Sequence, residues 1–125
     1  MILLLDAHAV LWWLSDDPTL VVAARTAIAH PANEVIVSAA TVWEIAIKRS
    51  IGKLDAPEGL LDALADLGFQ VLPITGIDAE AAAALPPHHR DPFDRMLVAQ
   101  SARIGAIVVT RDTAFAPYGT DILMA

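Results

Sequence analysis

The run Ile2-Leu3-Leu4-Leu5, ended at once by Asp6, is the feature that most constrains how this chain folds. Four consecutive aliphatic residues closed by an acid read as a short strand buried on both faces. Glu34–Ser38 (EVIVS) and Ala106–Val109 (AIVV) repeat the pattern, Phe69–Ile74 forms a further strand, and Asp121–Met124 a last short one. Helical segments are expected between them: Ala9–Leu14, Thr19–Ala29, Ala39–Ser50, Pro57–Leu67, Asp78–Leu85 and Pro92–Ile104. Proline at the start of the fourth, glycines at 68 and 105 past two ends, and Pro86-Pro87 after the fifth supply start and stop signals. Short apolar strands alternating with helices specify an α/β domain, with a central parallel sheet flanked by helices on both faces. At 125 residues the whole chain, 1–125, is expected to be one such domain.

Apolar residues make up 56% of the chain and the mean hydropathy is +0.54. That is more than a soluble monomer of this size needs, so an aliphatic core and some apolar surface buried against a partner are both expected. No stretch reaches the roughly 18 apolar residues of a membrane span. The first five residues lack a basic flank and run straight into Asp6, which argues against a signal peptide. Cysteine is absent, which removes disulfides and thiolate metal sites. A cytoplasmic protein with no membrane contact is the expectation.

The net charge of −7 argues against a broad nucleic-acid-binding surface. Local basic groups remain at Arg90, Arg95 and Arg111, and at Lys48, Arg49 and Lys53. By count alone these are solvated surface charge; near a cluster of acids, Arg95 and Arg111 become candidates for phosphate contacts.

In a parallel α/β layer, ligands bind at the carboxyl edge of the sheet, where strands end and helices begin. Asp6 follows the first strand, and Asp112 lies three residues past Val109. Glu44 falls in the first half of the helix after Ser38, and Asp94 in the first turn of the helix opened by Pro92. Four separate segments thus bring a carboxylate to one edge. Crowded carboxylates need a compensating cation, and hard divalent ions such as Mg²⁺ or Mn²⁺ prefer oxygen ligands. Such ions polarise phosphoryl oxygens and acidify water, so the reaction class indicated is metal-assisted phosphodiester hydrolysis.

Each acid also has a structural reading. Asp6 fits a turn, Glu44 pairs with Lys48 at i,i+4, Asp94 faces a helix dipole, and Asp112 caps a short helix at Thr113-Ala114-Phe115. Taken together these readings weaken, because Glu44 interrupts an apolar run (VWEIAI) and Asp6 ends one. Asp91 differs: Asp-Pro opening a helix is an N-cap followed by proline at the first helical position, a structural duty.

Ser38 and Thr110 end strands at the same edge and either hydrogen-bond the carboxylates or cap helices. His8, two residues past Asp6, either orients phosphate or water, or caps a helix. No HxH or HxxxH zinc spacing occurs, and the role of His89 stays open. Trp12, Trp13 and Trp43 sit in apolar helical runs and read as core or partner surface.

The segments ILLLDAHAVLWWL, IVSAATVWEIAIKRSIGKL, LPPHHRDPFDRMLVAQ and VVTRDTAF together resemble the PIN-domain nucleases, in particular the VapC-type toxins of toxin–antitoxin pairs. The resemblance covers nearly the whole chain, in order. It implies a PIN fold and a Mg²⁺- or Mn²⁺-dependent ribonuclease whose four acids are Asp6, Glu44, Asp94 and Asp112, with Thr110 as the polar residue two before the last. It further implies homodimers and a cognate antitoxin that enters the active-site groove. One departure stands out: members often carry a hydroxyl residue directly after the first acid, where this chain has Ala7, an exchange expected to tune activity rather than abolish it. A PIN-like module that only binds antitoxin or RNA is the main alternative. A phosphoacceptor or phosphatase built on Asp6 fits poorly, because position 8 is His rather than Asp and the chain has neither an acidic pair near its start nor a late Lys.

Overall fold

In the computed structural model, which describes residues 1–125, five parallel strands form one sheet in the order β3-β2-β1-β4-β5. The strands are β1 (Ile2–Leu5), β2 (Glu34–Ser38), β3 (Gln70–Leu72), β4 (Ile107–Thr110) and β5 (Ile122–Met124). The helices are α1 (Ala7–Leu14), α2 (Val22–Ala29), α3 (Ala39–Ser50), α4 (Leu60–Asp66), α5 (Gly76–Ala84) and α6 (Pro92–Ile104), with a 3-10 helix over Thr113–Tyr118.

The leucine run becomes the central strand. Leu3, Leu4 and Leu5 are fully buried, because β1 pairs with β2 on one side and β4 on the other. Side chains alternate across the sheet. Leu3 and Leu5 join Val35, Val37 and Val109 beneath α1, α2 and α4, while Leu4 joins Ile36 and Val108 beneath α6 and Phe115. Burying residues on both faces is why the strand carries no polar alternation.

The chain runs from β1 outward to β2 and β3, then returns to β4 and β5 on the other side. The sheet therefore has its topological switch point between β1 and β4, which opens a crevice at their carboxyl ends. Register fixes what lines it: Leu5 aligns with Val37 and Val109, so Asp6, Ser38 and Thr110 stand just beyond on three adjacent strands.

Several boundaries differ from the sequence expectation for local reasons. Helix α1 begins at Ala7, because the Asp6 side chain caps it directly. Helix α2 starts at Val22; the amide of Thr19 instead donates to the Asp17 carboxylate (2.8 Å) in a turn. Helix α4 begins after Gly59, whose φ of 69° breaks the helix expected from Pro57. The strand expected over 69–74 is only Gln70–Leu72, since Thr75 already forms a capping box with Asp78 at the head of α5. Asp78 is buried and also accepts two hydrogen bonds from Arg103 (2.5 and 3.0 Å), which locks α5 onto α6 and holds its carboxyl at about 2.

Candidate active site

The crevice is a cleft of about 420 Å³ lined by Asp6, Ala7, His8, Trp12, Glu44, Lys48, Asp91, Asp94, Arg111 and Asp112. All four acids named from the sequence reach it, and Asp91 makes a fifth.

Asp6 is held through both of its oxygens, and Asp112 through one. Asp6 Oδ1 accepts from the amide of Ala9 (2.9 Å), capping α1, and Oδ2 accepts from the hydroxyl of Thr110 (2.6 Å). Asp112 Oδ1 accepts from the amide of Ala114 (2.9 Å), capping the 3-10 helix, and Oδ2 lies 3.1 Å from His89 Nε2. Thr110 joins the two acids, because its hydroxyl oxygen also accepts from the amide of Asp112 (3.0 Å). Burial pushes the Asp6 carboxyl above its usual range, against the lowering effect of the Thr110 and Ala9 hydrogen bonds.

Glu44 is buried on α3, and its Oε2 accepts from Lys48 Nζ at 2.7 Å. The hydrogen bond to Glu44 raises the Lys48 ammonium, with the charges of Asp91 and Asp94 adding to it. Asp94, one turn into α6, is pushed up to about 7, mainly by burial and then by the charge of Asp91. Its Oδ2 lies 2.8 Å from His89 Nε2. Burial lowers the His89 imidazole, but the hydrogen bond and charge of Asp94, followed by the charge of Asp112, outweigh it and leave the ring above its ordinary value.

The structure decides between the readings of Ser38 and separates the two candidate arginines. Ser38 does not touch the carboxylates; its hydroxyl accepts from the amide of Ala40 (3.0 Å) and caps α3, since the strand runs directly into the helix. Arg95 does not face the cleft. Its guanidinium donates to the carbonyls of Pro86, His89, Ala82 and Leu85 (2.8–3.2 Å), tying the end of α5 and the 86–89 loop to α6. Arg111 does line the cleft, stacked over Trp12 at 4.5 Å, but its Nε and Nη2 are spent on the carbonyls of Ala125 and Thr19. Only its Nη1 remains without a protein partner. His8 is exposed at the cleft rim, 5.6 Å from the Trp12 ring, with no hydrogen bond of its own.

Two residues that touch the cleft acids were not assigned a role from sequence. Lys48 is legible as the i,i+4 partner of Glu44, a spacing that suits any exposed helix equally. His89 is recognisable only in retrospect: it sits two residues before the N-cap Asp91, where the chain folds back over the first turn of α6.

The PIN domain profile matches residues 3–120. The chain belongs to the PIN domain family. Solved structures share the fold of this PIN domain. VapBC2 from Rickettsia felis, bound to a promoter DNA fragment, aligns with a TM-score of 0.71 at 12% identity, covering 98% of each chain. FitAB bound to an IR36 DNA fragment gives 0.71 at 22% identity, over 98% of this chain and 94% of that one. VapBC-1 from nontypeable Haemophilus influenzae gives 0.66 at 17% identity, over 98% and 97%. A comparison with curated proteins finds no match. No helix of this PIN domain is long and apolar enough to cross a membrane.

The donor set suits a hard divalent cation. Five carboxylates share one cleft with Lys48 and Arg111, His89 reaches two of them from the side, and Asp94 holds its negative charge poorly there without a further positive one.

Proposed function

We propose that this PIN domain is a Mg²⁺- or Mn²⁺-dependent endoribonuclease and the toxin of a toxin–antitoxin pair. The observation that carries the reading is the convergence of Asp6, Glu44, Asp94 and Asp112 on the switch-point cleft, with Asp94 pushed up to about 7. Asp6, Asp94 and Asp112 would hold the ion directly, and Glu44 through water. When bound, such an ion supplies positive charge to the phosphoryl oxygens and lowers the pKa of the attacking water.

The chain's own residues supply the rest. Glu44, oriented by Lys48, lines up the water and accepts its proton. Thr110 fixes the Asp6 carboxylate in one orientation. Arg111 offers Nη1 to a backbone phosphate, and exposed His8 meets the strand at the rim.

Two features support a protein partner. The structural neighbours are complexes of a toxin with its antitoxin, VapB or FitA. Trp43 is 62% exposed and packs edge-on against Phe93, an apolar shelf on α3 and α6 near the acids. A cognate antitoxin covering the groove, a homodimer and a cytoplasmic setting complete the proposal.

The test is cleavage of single-stranded RNA by purified protein with Mg²⁺ or Mn²⁺. Asp94→Asn should stop it and chelation should reproduce the loss. Undiminished cleavage by Asp94→Asn overturns the assignment, and a folded wild type that binds RNA without cutting it replaces the enzyme with a binding module.

A further inference from the structure

His89 is held too firmly to be an incidental loop residue. Its amide donates to the Tyr118 hydroxyl (2.9 Å), which itself donates to the carbonyl of Pro86 (2.7 Å). Its carbonyl accepts from Arg95 (3.2 Å), and its ring stands edge-on to Phe115. The strap delivers Nε2 to within 2.8 Å of Asp94 Oδ2 and 3.1 Å of Asp112 Oδ2. One donor atom from each of the three residues lies within 4.8 Å of the other two. An octahedral ion holding its donors at about 2.1 Å separates adjacent ligands by about 3 Å. The imidazole therefore stands one ligand-edge away from both acids.

We infer that His89 is a nitrogen donor to the ion held by Asp94 and Asp112, and that this mixed nitrogen–oxygen set makes the cleft favour divalent transition metals over Mg²⁺. The inference rests on the metal-site reading above and goes beyond its four carboxylates. Imidazole binds first-row transition ions well, whereas Mg²⁺ keeps to oxygen ligands and water. Coordination requires Nε2 to give up the proton it shares with Asp94 and Asp112, whose oxygens then turn to the ion, and Nδ1 to carry one, which also ends the long 3.5 Å contact from the amide of Asp91.

The experiment compares wild type, His89→Gln and Asp94→Asn, all stripped of metal. Glutamine keeps an N–H donor for the two carboxylates while removing the imidazole. Mn²⁺-loaded wild type should show nitrogen hyperfine coupling in pulsed electron paramagnetic resonance, and His89→Gln should lose it while still binding Mn²⁺. By calorimetry the Co²⁺-to-Mg²⁺ affinity ratio should fall in His89→Gln by no less than the roughly tenfold typical of losing an outer-shell partner. Absent coupling in wild type, or an unchanged ratio, overturns the inference. So does tighter binding of both ions by His89→Gln, which would make the imidazole a displaced occupant rather than a ligand. Asp94→Asn separates the two levels: if it binds Mn²⁺ as well as wild type, the metal-site reading itself fails, whereas loss in Asp94→Asn with an indifferent His89→Gln removes only the nitrogen donor.

Discussion

The amide of Asp94 donates to the carboxylate of Asp91 (3.3 Å), and the same Oδ1 accepts from the amide of Phe93 (2.8 Å). Asp91 is thus the N-cap that fixes where α6 begins, and Asp94 is the acid that this start places in the cleft. The two are also electrostatically joined, since the Asp91 charge is the second cause, after burial, of the raised Asp94 carboxyl.

That coupling separates two substitutions. Asn is as good an N-cap as Asp but carries no charge. Asp91→Asn should leave the melting temperature nearly unchanged and bring the Asp94 carboxyl down from about 7, read by carboxyl-carbon NMR titration of metal-free protein. Asp91→Ala removes the cap as well and should cost about 1 kcal/mol in urea unfolding. An Asp94 titration that does not move in Asp91→Asn refutes the coupling.

Stability of the metal-free protein should bend with pH in two windows. Asp94 titrates at about 7 in the fold against about 4 in the unfolded chain. Its contribution is therefore complete below about pH 4 and fades as pH rises through 7; raised His89 acts with the same sign, losing its contribution as pH rises through its folded value. Asp78, at about 2, works oppositely: its contribution is present above about pH 4 and disappears as pH falls toward 2. Melting temperatures in chelator should decline from pH 5 to pH 8, and Mg²⁺ or Mn²⁺ should restore them at pH 8. Asp94→Asn should make that decline shallower, leaving the part that His89 and Asp6 contribute; an unchanged slope assigns it to other groups.

Thr110 offers a sharper probe of Asp6. Thr110→Val preserves the shape of β4 but leaves the buried Asp6 carboxylate short of its 2.6 Å donor. The cost should be about 1–3 kcal/mol. Because that hydrogen bond opposes the effect of burial, Asp6 should rise further, and the acidic limb of the pH–cleavage profile should move to higher pH. Thr110→Ser, which keeps the hydroxyl, should restore the limb. A Val variant with an unshifted profile leaves Thr110 a purely structural residue.

How much of this was legible beforehand depends on whether a residue acts through its own segment or through another. The leucine run, β2 and β4 announced a doubly covered parallel sheet, and Asp-Pro announced the start of α6, because both signals are local. Convergence of the four acids followed from topology alone, since helices return antiparallel to their strands. The Arg95 guanidinium was misread for the opposite reason: its partners, the carbonyls of Ala82, Leu85, Pro86 and His89, lie six to thirteen residues away in sequence and carry no side-chain signature. Ser38 was placed at the right edge, but whether a hydroxyl there turns to a carboxylate or to the following helix depends on rotamer. His89 needed both the Tyr118 strap and the Arg95 clamp, contacts that no spacing within HHRDPFDR encodes.

The two arginines assigned together by sequence should therefore part company in experiment. Arg95 ties together carbonyls from α5 and the 86–89 loop, those of Ala82 and Leu85 part-buried, so Arg95→Met should cost about 1–3 kcal/mol by leaving these acceptors without their donor. Arg111 keeps Nη1 free at the cleft, and a phosphate contact there releases counterions. With RNA binding measured in an Asp94→Asn background to prevent turnover, Arg111→Met should lower the slope of log affinity against log salt by about 0.7, the value for one single-stranded phosphate contact. Arg95→Met should leave that slope intact, because its charge is committed to the scaffold. Equal slopes for both variants would show that Arg111, held by Ala125 and Thr19 and stacked on Trp12, is scaffold as well.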